Sequence, residues 1–228
     1  MQGLPPLLPS QPLSLVVHPM KNNITTLYDY TLEDAEYIMT SPEWTRAIFV
    51  REPKERILSA FLNKMLGDKY YFRDRCCKSG HEMIQKRTIL DHVCDGKIDE
   101  MDFGYFLNRT QDCFDDHWMP QVQAIDKKWW QMIDFVGYMD TLAQDSERLL
   151  KSLISDIDGA TAWDKYGKSG WGDGNDSFMQ KNTAGHAKDA KVNLRKYYTP
   201  DLERFVEEHW SMDWEQKHLN FKKFKIFE

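Results

Sequence analysis

The sequence predicts an α/β layered domain with a mostly parallel central sheet flanked by helices. Two short apolar runs and the amphipathic segments around them carry that expectation. Ala47-Ile48-Phe49-Val50 and Phe135-Val136-Gly137-Tyr138 are continuous apolar runs, as in strands buried on both faces. Behind the first run, Ile57, Leu58, Phe61, Leu62 and Met65 recur at helical spacing and define one buried face.

Taken in order, residues 1–12 read as a flexible proline-rich leader, and residues 13–228 as the folded domain. Residues 13–17 have the apolar character of a short strand. Residues 31–40 predict a helix, with Thr31 as N-cap and Glu33, Asp34 and Glu36 suited to the positive end of its dipole. Strand and helix follow over residues 45–65. Residues 103–107 and 147–154 also read as helical, the latter with Leu149, Leu150, Leu153 and Ile154 on one apolar face. Asp134 and Asp140 bracket the second strand and shape its ends. Residues 163–177, rich in Gly, Asp and Trp without periodicity, read as a loop. Residues 202–210 form the last expected helix.

Composition narrows the function classes. With 228 residues, eight Trp, twelve Phe and ten Tyr, the chain can bury a sizeable core. A net charge of −6 argues against a general nucleic-acid binder. An anionic partner would need a local basic patch, for which residues 181–196 are the candidate; a solvated helix face explains that run equally well. The four cysteines, Cys76, Cys77, Cys94 and Cys113, lack the paired spacing of a zinc site. They allow three fully paired disulfide connectivities, or reduced buried thiols. Sequons at Asn23, Asn108 and Asn175 lean toward a secretory compartment. No segment has the length and apolarity of a membrane span.

The densest chemistry lies at residues 49–61. Arg51 follows the first strand directly, at the carboxyl end where open α/β sheets place ligands. Pro53 suits the first helical turn, and Arg56, Ser59 and Asn63 share the helix face opposite the apolar one. An arginine at a strand tip, free N–H groups at a helix start and a hydroxyl further along the helix compose a phosphate cradle.

This stretch fits the pattern R-D/E-P-x-x-R-x-x-S-A and resembles the 3′-phosphate motif of Golgi carbohydrate O-sulfotransferases, the group of the chondroitin, dermatan and HNK-1 enzymes. Three further segments resemble that family in the same order: Asp116-His117-Trp118-Met119-Pro120-Gln121, residues 133–142, and residues 194–202 with Met212-Asp213-Trp214 behind. The resemblance covers residues 27–221. It implies a P-loop-like sulfotransferase fold and 3′-phosphoadenosine-5′-phosphosulfate (PAPS) as sulfate donor, with no metal. It implies Arg51 and Ser59 as ligands of the donor's 3′-phosphate, a glycan acceptor and a Golgi location. For the general base, His117 is the candidate, because imidazole titrates in the range needed to accept a hydroxyl proton. Trp118 beside it is a candidate sugar-stacking face, and His186 a second candidate base or nucleotide contact.

One part of the family pattern is missing. The family's 5′-phosphosulfate loop resembles Pro-Lys-x-Gly-x-Ser/Thr and precedes the arginine motif, whereas the only upstream lysine here is Lys21, with no glycine beside it. The resemblance therefore implies a domain that is N-terminally incomplete, its membrane anchor also lying outside this chain. The alternative reading is a non-catalytic domain that retains nucleotide or glycan binding. A P-loop kinase is disfavoured because no G-x-x-x-x-G-K-S/T occurs.

Overall fold

The computed structural model describes residues 26–76, 102–154, 159–167 and 190–227. Their elements, in chain order, are α1 (Leu32–Thr40), β1 (Ala47–Val50), α2 (Pro53–Ala60), α3 (Lys69–Cys76), α4 (Phe103–Arg109), β2 (Phe135–Tyr138), α5 (Leu142–Ser152), α6 (Ala190–Tyr197), α7 (Pro200–His209) and α8 (Ser211–Glu215), with short 3₁₀ and π turns between them. These residues fall into two compact units, one from residues 1–49 and 132–185, the other from residues 50–131 and 186–228.

In the first unit, β1 and β2 pair as a two-stranded parallel sheet. Both strands begin and end where their apolar runs do. Arg46 and Asp134, the residues just before the two strands, fasten the starts together. The Asp134 carboxylate accepts the Arg46 backbone N–H at 2.9 Å and its Nε at 2.8 Å, and Nη2 lies at 2.7 Å. Thr31 caps α1 as its sequence position requires, its hydroxyl accepting the Asp34 N–H at 3.1 Å. Beyond β2, Asp145 accepts the Tyr138 N–H at 2.8 Å and the Thr141 hydroxyl at 2.7 Å, tying strand to helix. No apolar side chain of this unit is fully buried among the described residues, so polar fasteners do much of the ordering.

Gly137 has a steric reason to be glycine. A Cβ there would stand 2.4 Å from Cε1 of Phe49 on the paired strand. We expect Gly137→Ala to cost about 1–3 kcal/mol, the usual range for overpacking. A thermal melt unchanged from wild type would contradict this contact.

The second unit holds the hydrophobic core. Ile57, Leu58, Phe61, Leu62 and Met65 are all buried, as their spacing predicts, against Phe72, Phe103, Phe106, Trp118, Leu194 and Val206. Pro53 occupies the first turn of α2. The helical path then widens into a π turn over Phe61–Met65, in which the Leu66 N–H reaches the Phe61 carbonyl at 3.0 Å. Cys76 and Cys113 form a disulfide, which excludes two of the three fully paired connectivities. Cys77 and Cys94 lie outside the described residues.

Three expectations need correction. The helix expected over residues 147–154 starts earlier, at Leu142, and stops at Ser152, so Leu153 and Ile154 lie beyond it. Ile154 instead bridges Thr161 and is 66% exposed, outside any apolar face. Trp163–Gly167, expected as loop, forms a π turn. The expected strand at residues 13–17 and residues 168–177 of the expected loop lie outside the described residues. No helix among the described residues is long and apolar enough to cross a membrane.

Candidate active site

Arg51 leaves β1 and enters a small polar lattice within the second unit. Its backbone N–H donates to Gln121 Oε1 at 2.8 Å, and its carbonyl accepts from Gln121 Nε2 at 2.8 Å. The glutamine side chain thus satisfies the backbone at the strand tip as a neighbouring strand would. Gln121 is itself steadied by Asp213, which lies 3.3 Å from its Nε2 and accepts the Val122 N–H at 2.9 Å. The Arg51 guanidinium faces Glu55, with Nε 3.8 Å from the carboxylate. That Nε is buried and makes no hydrogen bond among the described residues. A buried guanidinium N–H without a hydrogen bond suits an anion.

The cradle differs from its sequence outline in one respect. The start of α2 is already capped by the chain itself: the Glu52 carboxylate accepts the Glu55 N–H at 3.0 Å. Burial pushes the Glu52 carboxyl up to about 7, outweighing the N–H donors and the nearby Lys54 that favour its charged form. The N–H groups that the sequence outline left free for an anion are therefore not all free at this helix start. Ser59 lies in the second turn of α2, half-buried, and its hydroxyl makes no hydrogen bond among the described residues. No hydrogen bond joins it to Arg51.

Arg56, one turn before Ser59's level, has a structural task. Nη2 donates to the Asp116 carbonyl at 2.6 Å and Nη1 to the Met119 carbonyl, so the guanidinium clamps the loop on both sides of His117. Burial lowers its pKa, with Asp213, Asp116 and Asp115 opposing.

His117 sits at the surface of this clamped loop. Its Nδ1 is 2.6 Å from Oδ1 of Asp115, a carboxylate that is 1% exposed. Oδ1 also accepts the His117 backbone N–H at 2.9 Å. Oδ2 accepts the Tyr71 hydroxyl at 2.8 Å and lies 3.0 Å from Arg75 Nε. Burial pushes the Asp115 carboxyl up, but the hydrogen bonds from His117 and Tyr71 prevail and hold it below the ordinary carboxylate value. Burial and the facing carboxylate push the Tyr71 phenol up, so it stays a donor. Sequence reasoning singled out His117 and missed Asp115, Tyr71 and Arg75. The neighbouring aspartate was visible in Asp115-Asp116-His117; the contributions from α3 were not.

Trp118 does not form a sugar-stacking face. It is 1% exposed, its indole N–H donates to the Cys113 carbonyl at 2.6 Å, and it packs on Phe72 and Phe106. His186 and residues 181–189 of the basic run lie outside the described residues; Lys191, Arg195 and Lys196 are exposed on α6. Asn108 is exposed at the end of α4, and the other two sequons lie outside the described residues.

Each unit has a cavity among its described residues. One of about 480 Å³ in the first unit is lined by Trp44, Arg46, Asp134 and Arg148. It opens at the amino ends of β1 and β2, whereas ligands of open α/β sheets gather at carboxyl ends. The other, about 190 Å³ in the second unit, is lined by Phe114, Trp118, Met119, Gln123, His209 and Met212, so the His117 loop forms one wall.

Arg51, Ser59 and His117 all fall within a span that a known family matches. The Sulfotransferase family matches residues 12–216, and the chain belongs to that family. Carbohydrate sulfotransferase 11 of Rattus norvegicus is 26% identical over 155 residues, which is 64% of this chain and 42% of that protein. The chain thus spans about two-fifths of the length of this curated relative. No solved structure gives a significant match.

Proposed function

We propose that the chain is a PAPS-dependent carbohydrate O-sulfotransferase, or the part of one that binds the donor's 3′-phosphate and carries the base. The observation that carries this reading is the His117 ring, anchored at Nδ1 on a buried carboxylate and open to solvent at its other edge. In a chain of the sulfotransferase family, that is the group fit to take a proton from a sugar hydroxyl. When bound, PAPS supplies the sulfuryl group and departs as adenosine 3′,5′-bisphosphate. Arg51 binds the 3′-phosphate through the guanidinium whose Nε makes no hydrogen bond among the described residues and faces only Glu55 at 3.8 Å, and Ser59 adds a hydroxyl donor. His117 accepts the acceptor's hydroxyl proton at Nε2 as the oxygen attacks sulfur. Arg56 keeps the loop bearing His117 in register with the helix bearing Ser59. The acceptor is a glycan held against the same loop, where Gln123 and His209 offer hydrogen bonds. A P-loop-like sulfotransferase fold and a Golgi location belong to the same proposal.

Arg51→Ala should abolish retention on immobilised adenosine 3′,5′-bisphosphate, a loss of at least about tenfold in affinity for a charge-assisted contact. Undiminished retention would remove Arg51 from the site. A second reading is a domain that binds nucleotide or glycan without transferring sulfate. The self-capped start of α2 favours it, because Glu52 occupies donors that a phosphate would otherwise use. Radiolabelled sulfate transfer to a panel of desulfated glycosaminoglycans separates the two readings: incorporation supports the first, binding without incorporation the second.

A further inference from the structure

Asp115 makes more contacts than a surface-loop carboxylate needs. Both its oxygens are engaged, one with His117 and the other with two residues of α3. Oδ1 takes the backbone N–H of His117 and faces its Nδ1; Oδ2 takes the Tyr71 hydroxyl and pairs with Arg75. Tyr71 and Arg75 both come from α3, and Cys76, the next residue, is bonded to Cys113, two residues before Asp115. One covalent bond therefore joins the helix that supplies the donors to the loop that supplies the carboxylate. The tyrosine ring packs edge-on against the imidazole, centroids 5.3 Å apart, which limits rotation of the histidine.

We propose that Asp115 is the positioning residue for His117, fixing the neutral imidazole as the Nδ1–H tautomer and presenting the Nε2 lone pair to the acceptor hydroxyl. An ionised carboxylate can only accept, so the ring nitrogen 2.6 Å away must be the donor. The Tyr71 hydroxyl also lies 3.2 Å from Nδ1, but its single proton is committed to Oδ2 at 2.8 Å. With Nδ1 protonated, the lone pair is left on Nε2, at the edge away from Asp115. Tyr71 and Arg75 act one step further back by preventing the carboxylate from turning. Asp115 touches no reacting atom in this arrangement. It acts through the histidine, and the inference rests on the reading of His117 as the base.

The experiment is nitrogen NMR of the imidazoles in ¹⁵N-histidine-labelled wild type and Asp115→Asn, with His117→Gln used to assign the signal. In the wild type at a pH where His117 is neutral, the Nδ1–H tautomer should dominate. In Asp115→Asn, whose amide can also donate, a substantial Nε2–H population should appear, with kcat for sulfate transfer falling on the order of 10²–10⁴-fold and KM for the donor unchanged. Asp115→Glu should restore part of the wild-type tautomer preference. A wild-type spectrum dominated by Nε2–H overturns the proposal, whether or not the variants fold. So does an unchanged tautomer ratio in a folded Asp115→Asn. The base reading fails separately: full transfer by His117→Ala removes it, while the tautomer result still decides whether Asp115 positions the ring.

Discussion

Replacing Lys54 with methionine should destabilise the second unit by about 3–5 kcal/mol, the range seen when one partner of a buried ion pair is removed. Lys54 lies in the first turn of α2, yet its side chain is fully buried. Its ammonium is 2.6 Å from Glu203 and 2.8 Å from Glu207, both on α7, and donates to the Phe224 carbonyl. Glu203 in turn accepts the Ile226 and Phe227 N–H groups at 2.8 and 3.3 Å. This one cation therefore holds α2, α7 and the C-terminal segment together. Methionine matches the stem but removes the buried cation, leaving Glu203 with only its two backbone donors and Glu207 with only Lys225, 2.8 Å away.

The pH dependence of that loss has a definite sign. Burial raises the Glu203 carboxyl, but the bonds from Lys54 and the two backbone N–H groups outweigh it and bring the folded value below the ordinary 4.5. A depressed folded value contributes stability above the unfolded value and loses it as pH falls through the folded one. In Lys54→Met the depression is reduced, so acid should cost the variant less than the wild type. The stability gap measured by urea denaturation should be widest near neutral pH and narrow below about 4.5. A gap that stays constant into acid would show that packing, not charge, sets the effect.

The Cys76–Cys113 bond is the second large contributor. It closes a loop with a sequence separation of 37 residues. On the chain-entropy relation, such a loop is worth up to about 4 kcal/mol. The double variant Cys76→Ser/Cys113→Ser should therefore shift the denaturant midpoint strongly downward. It should also loosen Asp115 from Tyr71 and Arg75, since the bond joins their segments. A midpoint indistinguishable from that of the oxidised wild type would mean that packing of Phe72 on Phe106 and Trp118 already holds these segments.

Local elements were legible wherever periodicity and caps agreed. Thr31 before an acidic turn and Pro53 after Val50 each marked a helix start that the structure keeps, whereas the last helix, expected over residues 202–210, runs from Pro200 to His209. The strands at Ala47–Val50 and Phe135–Tyr138 were readable because each is a short apolar run that starts directly after a charged residue. Where local signals ran out, the reading slipped. Ile154 looked like part of a helical face because its spacing fits, but the helix ends at Ser152 and leaves it exposed. Trp118 looked available to a sugar because it neighbours an exposed histidine, yet the loop turns it inward against Phe72 and Phe106.

By itself the sequence determined the family motifs, their order, and Arg51, Ser59 and His117 as the residues to examine, because strand ends, helix faces and short motifs are properties of neighbouring residues. Only the tertiary structure decided what surrounds them. Asp115 becomes an anchor for His117 because α3, whose Tyr71 is 44 residues away in sequence, brings Tyr71 and Arg75 to it. Lys54, which any local reading would leave in solvent, is buried because Glu203 and Glu207 arrive from α7. Charges enter a core only when partners distant in sequence compensate their desolvation, and no local pattern records where those partners are.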